Sequence, residues 1–515
     1  MKDKKDLFIN ILYVLSILSL IFFASQLFIN KLLPTNYRFI IVVVLTIIYL
    51  VIGFILVKHC NNKIVYIISS VFLVLLLLVQ TVAGLYIFRT YSGYNSRLSE
   101  NSKKKTVFYI ITLKTNKQVN TVEDMKMASV YYDKHDSKED LDILKEEIER
   151  VNDKIKYVEG SGALELAKNL INGKIKYMLL NESRIPIIEE GISEFRQAYK
   201  VVKLFGDSKD DKIEIEREDH TNAKNTELGQ SFNLLISGGD SYGGLEYDLR
   251  SDVNILLTIN PESHKILITQ IPRDSYVMMR DLGYDKLTHS STYGIKTLIG
   301  TIEDLLETDI NYYVKVNFNS LEDIVDALGG INVYNDYEFT SRTKGLYFSH
   351  GQLELNGEES LEFVRERYSL PNGEFDRGKN QMKVLTAIIN KAISPSILFN
   401  YTSVLDTVLD SIITNFPSSK ITEMINDQIK TMASWSIESH QIDGEPVGGL
   451  YSYTMPEYSL SFVELYEEEI NEANKRIKRI LGKNVVESVE VLEESIETVE
   501  EVYEDYNTED VDWDY

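Results

Sequence analysis

The stretch RSDVNILLTINPESHKILITQIPRD, residues 250–274, has two runs of aliphatic and β-branched residues on either side of Asn260-Pro261-Glu262-Ser263-His264. Such runs around an Asn-Pro break are typical of paired strands, so residues 253–259 and 265–271 predict a β-hairpin. Residues 232–236 predict a buried strand before it. Because Arg250, Asp252, Arg273 and Asp274 flank the two runs, the hairpin would present charged side chains at its strand ends.

Helices and further strands follow the hairpin. Ser320 is predicted to be the N-cap of one helix, and Gly329 lies just beyond its end. A sheet covered by helices on both sides fits this order. Helices are predicted at residues 295–306, 321–328, 357–364, 378–393, 397–413 and 418–433, and strands at residues 312–318 and 331–334.

Arginines recur in this half of the chain within four short blocks. Guanidinium groups match phosphate oxygens with a planar fork of donors, and a nearby carboxylate can hold the divalent cation that phosphoryl chemistry usually needs. Behind a set of membrane helices, this combination indicates chemistry on a lipid-borne phosphate. The blocks are Arg250-Ser251-Asp252, Ile271-Pro272-Arg273-Asp274, Val364-Arg365-Glu366-Arg367 and Asp376-Arg377-Gly378-Lys379-Asn380-Gln381.

Two carboxylates, Asp240 and Asp252, are predicted at neighbouring strand ends. They either pair with arginines as structural salt bridges or hold Mg²⁺ or Mn²⁺ through a few oxygens. In an extended segment Arg365 and Arg367 would share one face, with Glu366 turned away; a plain solvated face is the alternative.

The N-terminal part predicts a membrane anchor. Residues 7–29, 39–57 and 64–88 contain no Asp, Glu, Lys or Arg, and each run approaches or exceeds the ~20 residues needed to cross hydrocarbon. A signal peptide is disfavoured by the length of the first run. The Lys and Arg distribution favours a cytoplasmic N-terminus, and three crossings then place the remainder outside the cell, where it has no cysteine.

Composition divides the chain further. A small α/β accessory domain is predicted at residues 106–208, and its Gly160-Ser161-Gly162 is either a phosphate loop or a plain strand-to-helix turn. The net charge of -24 argues against a nucleic-acid partner. The predicted order is three transmembrane helices at 1–88, a linker at 89–105, the accessory domain, a linker at 209–227, a catalytic domain at 228–483 and an acidic disordered tail at 484–515.

Together these blocks resemble the LytR-CpsA-Psr family of membrane-anchored glycopolymer transferases, and among them the capsular-polysaccharide CpsA-like members. The resemblance covers residues 231 to 393. Further motifs that carry it are Leu234-Leu235-Ile236-Ser237-Gly238-Gly239-Asp240, Lys286-Leu287-Thr288-His289 and Val325-Asp326-Ala327-Leu328-Gly329-Gly330.

The resemblance implies an α/β/α sandwich with a mixed central sheet. It also implies an apolar pocket for a polyprenyl chain and arginines that bind the pyrophosphate of that lipid. It implies transfer of a phosphoglycan from undecaprenyl pyrophosphate to peptidoglycan, with Mg²⁺ or Mn²⁺ held by Asp240 and Asp252. Many family members have an arginine where Asn380 stands, so that role does not transfer. The implied phosphate contacts are Arg250, Arg273, Arg365, Arg367, Arg377 and Gln381, with Asp274 and Lys286 as second-tier candidates.

Two other functions compete with the transferase. A membrane sensor or transcription attenuator is disfavoured because a domain outside the membrane cannot contact DNA. A non-catalytic carrier of polyprenyl phosphates would keep its binding after Asp252→Ala, without any loss of glycan attachment. The apolar residues between 295 and 393 either line a lipid pocket or fill a core.

Overall fold

The computed structural model describes residues 2–30, 33–58, 62–101, 103–105, 107–205, 216–218, 229–240, 250–398 and 401–482. Three helices, α1 (Lys2–Asn30), α2 (Thr35–Lys58) and α3 (Lys63–Asn101), are long and apolar enough to span a membrane. The hydroxyls of Ser19 on α1 and Thr81 on α3 lie 2.8 Å apart. Helix α3 continues through most of the predicted linker, and the predicted acidic tail lies outside the described residues.

The accessory domain is a five-stranded sheet with helices. A short strand β1 (Lys103–Lys105) precedes it. Residues 185–199 do not form one helix, because a short helix ends at Gly191 and Tyr199 already begins an edge strand of the sheet. The elements are β2 (Phe108–Leu113), β3 (Ser129–Asp133), α4 (Lys138–Val151), β4 (Lys156–Gly160), α5 (Ala163–Ile171), β5 (Tyr177–Asn181), α6 (Ile185–Gly191), α7 (Phe195–Ala198) and β6 (Tyr199–Phe205), in sheet order β4-β3-β5-β2-β6.

The large domain begins after β7 (Glu216–Glu218), which pairs with β1. Its strands are β8 (Phe232–Gly239), β9 (Ser251–Asn260), β10 (Lys265–Gln270), β11 (Tyr276–Met278), β12 (Tyr284–Lys286), β13 (Tyr312–Val316), β14 (Ile331–Asn335), β15 (Phe339–Thr340), β16 (Tyr347–Phe348), β17 (Gly351–Leu355), β18 (Ile413–Thr414), β19 (Ser436–Gln441), β20 (Gly444–Gly448) and β21 (Ser461–Leu465). Its helices are α8 (Leu287–Ser290), α9 (Ile295–Leu306), α10 (Phe318–Ala327), α11 (Gly357–Arg365), α12 (Glu374–Ala392), α13 (Pro395–Leu398), α14 (Tyr401–Asp410), α15 (Ser418–Thr431) and α16 (Glu467–Ile480).

The predicted hairpin forms the centre of a mixed six-stranded sheet in the order β18-β13-β8-β9-β10-β19. Asn260 pairs with Lys265 at the turn, as expected. Because side chains alternate along a strand, Leu256 packs toward α9 and α16, whereas Leu257 packs toward α12 and α15. This arrangement confirms the predicted sandwich of a sheet between two helical layers.

Two local predictions are wrong. Ser320 is not the N-cap of α10; Asn317 is, and its side chain accepts the backbone N–H of Ser320 while the Ser320 hydroxyl accepts that of Asn317. The predicted helix at 397–413 extends too far, because α14 ends at Asp410 and Ile413 belongs to a short edge strand of the central sheet.

The end of the apolar stretch of α3 packs directly on the large domain. Ile87 lies in an apolar cluster with Val314, Val316 and Leu409, and Tyr86 is within 3.3 Å of Thr402. Val316 pairs with Gly238, two residues before Asp240. The end of the third apolar helix therefore lies close to the strand end that carries the first predicted carboxylate.

Candidate active site

The site begins where β8 ends and β9 starts. Gly238 faces Val253 so closely that a Cβ on it would approach the valine side chain to 2.8 Å, and the strand register shifts at Gly239. Asp240 follows this bulge, and Asp252 is the second residue of β9. Their charges interact, because Asp240 contributes to a raised pKa of Asp252. The strand ends therefore bring the two carboxylates together, as predicted.

Asp252 is the buried centre of the cluster. Its Oδ1 lies 2.7 Å from Nη1 of Arg273 and accepts a hydrogen bond from the Thr288 hydroxyl at 3.3 Å. Burial raises the pKa of Asp252, although the nearby charges of Arg273, Arg250 and Arg377 favour its ionised form. Three arginines from three separate sequence blocks thus act on one carboxylate.

Arg273 and its neighbour connect the hairpin to the Lys286 block. Nε of Arg273 lies 3.6 Å from Oδ1 of Asp274, and Nζ of Lys286 lies 3.3 Å from the same oxygen. The charges of Asp252, Asp274 and other acids raise the pKa of Arg273 against the effect of its burial. Asp274 and Lys286, the two second-tier candidates, therefore belong to the same cluster as Arg273.

Arg377 and Gln381 lie one turn apart on α12, and both are buried. Arg377 donates a hydrogen bond to Glu374, whose carboxylate also lies 3.8 Å from Arg367. A Cβ on Gly378 would approach Gln270 Oε1 to 2.9 Å, so a glycine lets this helix contact the sheet closely. Glu374 is not among the residues predicted from the sequence, although its position three residues before Arg377 in the first turn of the helix is a usable signal.

Arg365 and Arg367 do not lie on one extended face. Arg365 is the last residue of α11, with its guanidinium 3.8 Å from Asp240 and 4.1 Å above the Phe318 ring. Glu366, predicted to turn away, is buried and accepts hydrogen bonds from the backbone N–H groups of Arg342, Arg367 and Ser369. The prediction was wrong because the helix extends to Arg365 and the intervening carboxylate anchors the following turn.

Arg250 contacts the accessory domain. Its Nη1 lies 3.0 Å from Oε2 of Glu190 on α6, and the same carboxylate lies 3.5 Å from Lys286 and 3.5 Å from His289. Burial disfavours ionised Glu190, but the hydrogen bond with His289 and the charges of His289, Lys286 and Arg250 outweigh it and lower the pKa of Glu190 to about 2. No sequence pattern predicted that Glu190, a residue of the accessory domain, would contact this site.

Several buried polar atoms of this cluster lack a hydrogen-bond partner among the residues that the structure describes. Most buried polar atoms in proteins have a partner, so each exception calls for an explanation, such as a catalytic role or a bound ion. These atoms are Nε of Arg273, Oδ1 of Asp274, Oε1 of Glu362, Oε2 of Glu374 and Nε of Arg377.

The donor set fits a hard divalent cation. Asp240 and Asp252 offer carboxylate oxygens, and a dication beside them would offset both their mutual repulsion and the burial of Asp252. Within the described ranges no group of three or more His, Cys, Asp and Glu side chains could hold a metal. A cation here would therefore keep most of its ligands as water or phosphate oxygens, as Mg²⁺ usually does.

The accessory domain offers a separate cavity of about 100 Å³ at the domain interface, lined in part by Arg184, Tyr293 and Tyr453. Beside it, the backbone N–H of Ala163 at the start of α5 donates to Asp133. A carboxylate of the chain itself therefore occupies the helix start after Gly160-Ser161-Gly162, which favours the plain-turn alternative over a phosphate loop.

A protein-family model described as the LytR_cpsA_psr family matches residues 198–470. The polyisoprenyl-teichoic acid–peptidoglycan teichoic acid transferase TagU of Bacillus mycoides is 31% identical over 293 residues, 55% of this chain and 93% of the relative. The chain belongs to the LytR-CpsA-Psr family. The TagU of Oceanobacillus iheyensis is 32% identical over 256 residues, 48% of this chain and 74% of the relative.

Solved structures of related proteins also align with the chain. A structure titled TagT bound to LIIa-WTA is 29% identical, with a TM-score of 0.42, over 50% of this chain and 94% of that one. The crystal structure of B. subtilis TagV is 23% identical, with a TM-score of 0.44, over 50% of this chain and 99% of that one. All site residues predicted from the sequence lie within the matched LytR-CpsA-Psr range, whereas Glu190 lies before it.

Proposed function

We propose that this protein is a membrane-anchored, Mg²⁺-dependent phosphotransferase that moves a phosphoglycan from polyprenyl pyrophosphate to peptidoglycan. The glycan is a capsular polysaccharide or a similar glycopolymer. The relatives are named for the transfer of polyisoprenyl-linked teichoic acid to peptidoglycan, which supports the carrier and the acceptor. The observation that carries the proposal is the concentration of three arginines, from three of the sequence blocks, around the buried carboxylate of Asp252, with Arg365 from the fourth block beside Asp240.

The proposed reaction transfers the phosphate that carries the glycan. A hydroxyl oxygen of peptidoglycan forms a bond to this phosphorus, the bond to the bridging oxygen of the pyrophosphate breaks, and that oxygen leaves with polyprenyl phosphate. The hydroxyl proton passes to solvent or to a base. Negative charge gathers on phosphate oxygens during this step, so fixed guanidinium groups lower its barrier.

The proposed roles follow from the contacts. Arg365, near Asp240, and Arg273, paired with Asp252, would bind phosphate oxygens from two sides. Arg250, Arg367, Arg377 and Gln381 would complete the phosphate contacts. Asp240 and Asp252 would hold Mg²⁺ or Mn²⁺, which when bound neutralises phosphate charge.

The proposed location is the cell membrane, with a cytoplasmic N-terminus and the catalytic domain outside. Three apolar helices and the apolar cluster that contains both Ile87 and Val316 support a site close to the bilayer, where a polyprenyl chain is anchored. The apolar residues of α10, α11 and β14 pack together in one cluster, which favours a filled core over an open lipid pocket there.

The test is reconstitution of the full chain in detergent with a lipid-linked pyrophosphoryl oligosaccharide, a peptidoglycan acceptor and Mg²⁺. The proposal expects a phosphodiester-linked product that a chelator abolishes and that Asp252→Ala fails to make. Glu303→Gln, which removes a partner of Arg280 outside the site, is the matched control and should keep full turnover. Lipid binding without any product in the wild type would support the carrier function instead.

A further inference from the structure

A carboxylate of the accessory domain lies among the cations of the candidate phosphate site. Oε2 of Glu190 contacts Arg250 at 3.0 Å and His289 at 3.5 Å, while Oε1 lies 3.5 Å from Lys286. The charge of Glu190 also contributes to the raised pKa of Arg273. Arg250, Lys286 and His289 of the large domain therefore contact one anionic group that the family-matched range does not contain.

This carboxylate is held in place at both ends of its short helix. Arg184, just before α6, donates to the backbone carbonyl of Thr292 at 3.0 Å and stacks 4.0 Å over the Tyr293 ring. At the other end, the Tyr458 hydroxyl donates to the carbonyl of Gly191 at 3.0 Å. Because both anchors belong to the large domain, the position of Glu190 is built into the interface.

The surroundings of Glu190 suit an anion rather than a proton carrier. A general base needs a pKa near the working pH, and the pKa of Glu190 is about 2 because its cationic neighbours overcome the effect of burial. Guanidinium groups bind carboxylate and phosphate through the same donors. A phosphate group that approaches Arg250 and Lys286 therefore meets a carboxylate that already uses them.

We propose that Glu190 is an affinity-determining residue of the active site, a built-in anion that competes with the phosphate headgroup for Arg250 and Lys286. The inference rests on the proposed function and deepens it: the accessory domain weakens the binding of polyprenyl pyrophosphate and of the polyprenyl phosphate product. Glu190 lies before residues 198–470, the range that the family model matches, so the competing group is an addition to that range.

A positioning role for Glu190 predicts the opposite change in phosphate affinity when its carboxylate is removed. If the carboxylate only held Arg250 in place, its removal would weaken phosphate binding. Under competition, removing its charge without changing its shape strengthens binding. The sign of the change separates the two roles.

The experiment measures the dissociation constants of a short-chain polyprenyl pyrophosphate and of inorganic pyrophosphate, with Mg²⁺, for the full chain in detergent. Glu190→Gln should bind both about tenfold more tightly, the factor that roughly 1.4 kcal/mol provides. Glu190→Asp keeps the charge and should remain closer to the wild type than to Glu190→Gln. Glu189→Gln is the matched control, because Glu189 pairs with Arg196 instead, and it should leave both constants unchanged.

Unchanged or weaker binding by Glu190→Gln, in a protein whose melting temperature equals that of the wild type, would overturn the inference. Glu190→Gln could bind inorganic pyrophosphate more tightly while no variant binds the lipid. That result would support competition by Glu190 and contradict the proposed lipid substrate. If no variant binds either ligand, both the inference and the proposed function are refuted.

Discussion

At the scale of single residues, the site is a set of opposed charges held at short distances. Asp252 pairs with Arg273, and the charge of Asp240 contributes to the raised pKa of Asp252. Glu374 contacts both Arg367 and Arg377. Arg273, Arg365, Arg367 and Arg377 thus each have an acidic partner in the large domain that keeps the guanidinium in place before any ligand arrives. Such preorganised charge is the most effective way to stabilise a transition state that gathers negative charge.

Arg273→Ala should lower kcat for phosphoglycan transfer by about 10²- to 10³-fold, comparable to the loss of an oxyanion-hole donor. Arg273→Lys should recover only part of this loss, because an ammonium group cannot form the planar two-point contact. Steady-state transfer assays measure both. Arg150→Ala removes an exposed arginine of α4 that pairs within its own helix, and an equal loss in that variant would contradict the assignment.

The four arginine blocks predicted that arginines gather near Asp252, but they did not predict the contacts of Glu374 with Arg367 and Arg377. Arg250, Arg273 and Arg377 do act on Asp252, as the strand ends and the helix start suggested. Glu190 could not be predicted in the same way, because a lone glutamate on a short accessory helix has no pattern that assigns it to another domain. Its role depends on docking, which local sequence does not specify.

At the scale of elements, the turn between α11 and α12 positions Arg365, Arg367 and Arg377. Glu366 fixes this turn by accepting backbone N–H groups at 2.7 Å from Arg342, 3.0 Å from Arg367 and 2.9 Å from Ser369. The sequence predicted an extended segment because Arg-Glu-Arg alternation also occurs in strands. A buried charge that binds only backbone leaves no side-chain pattern, so the turn could not be foreseen.

Glu366→Ala should lower the free energy of unfolding of the large domain by about 3 kcal/mol, because it leaves several buried backbone donors without a partner. Glu366→Gln should cost less, since its amide oxygen can still accept. Denaturant titration measures the change. A loss below 0.5 kcal/mol, a value roughly typical of surface substitutions, would contradict the anchoring role.

The Glu366 contribution should also depend on pH. Burial opposes ionisation, but the hydrogen bonds from the backbone of Ser369, Arg342 and neighbouring residues hold the pKa of Glu366 below its ordinary value. A lowered folded-state pKa gives stability that is full above the unfolded value, about 4.3, and is lost as the pH falls through the folded value. The stability difference between wild type and Glu366→Gln should therefore shrink below about pH 4; a constant difference from pH 7 to pH 3 would argue against it.

At the scale of the whole molecule, the accessory domain and the large domain meet at the candidate site, and the third apolar helix packs on the large domain. The apolar runs predicted the three helices, and the hairpin predicted the centre of the sheet. The edge strand β19 was missed because its sequence, SIESHQ, has no continuous apolar run. Its place beside β10 depends on a parallel, long-range pairing that only the complete fold determines.

The proposed topology predicts the labelling of cysteines in intact cells. The single Cys60 should resist a membrane-impermeant maleimide, because its loop would face the cytoplasm. In a Cys60→Ser background, Glu445→Cys on the exposed surface of β20 should react readily. Labelling of Cys60 from outside, with protection of position 445, would reverse the orientation.

The mass of the joined product tests the central claim most directly. After reconstitution with the pyrophosphate-linked glycan, digested peptidoglycan is analysed by mass spectrometry and the lipid product is identified alongside it. We expect the glycan attached through one retained phosphate, with polyprenyl monophosphate released in equal amount. A glycan attached without phosphate, with polyprenyl pyrophosphate released, would contradict phosphoryl transfer at the arginine cluster.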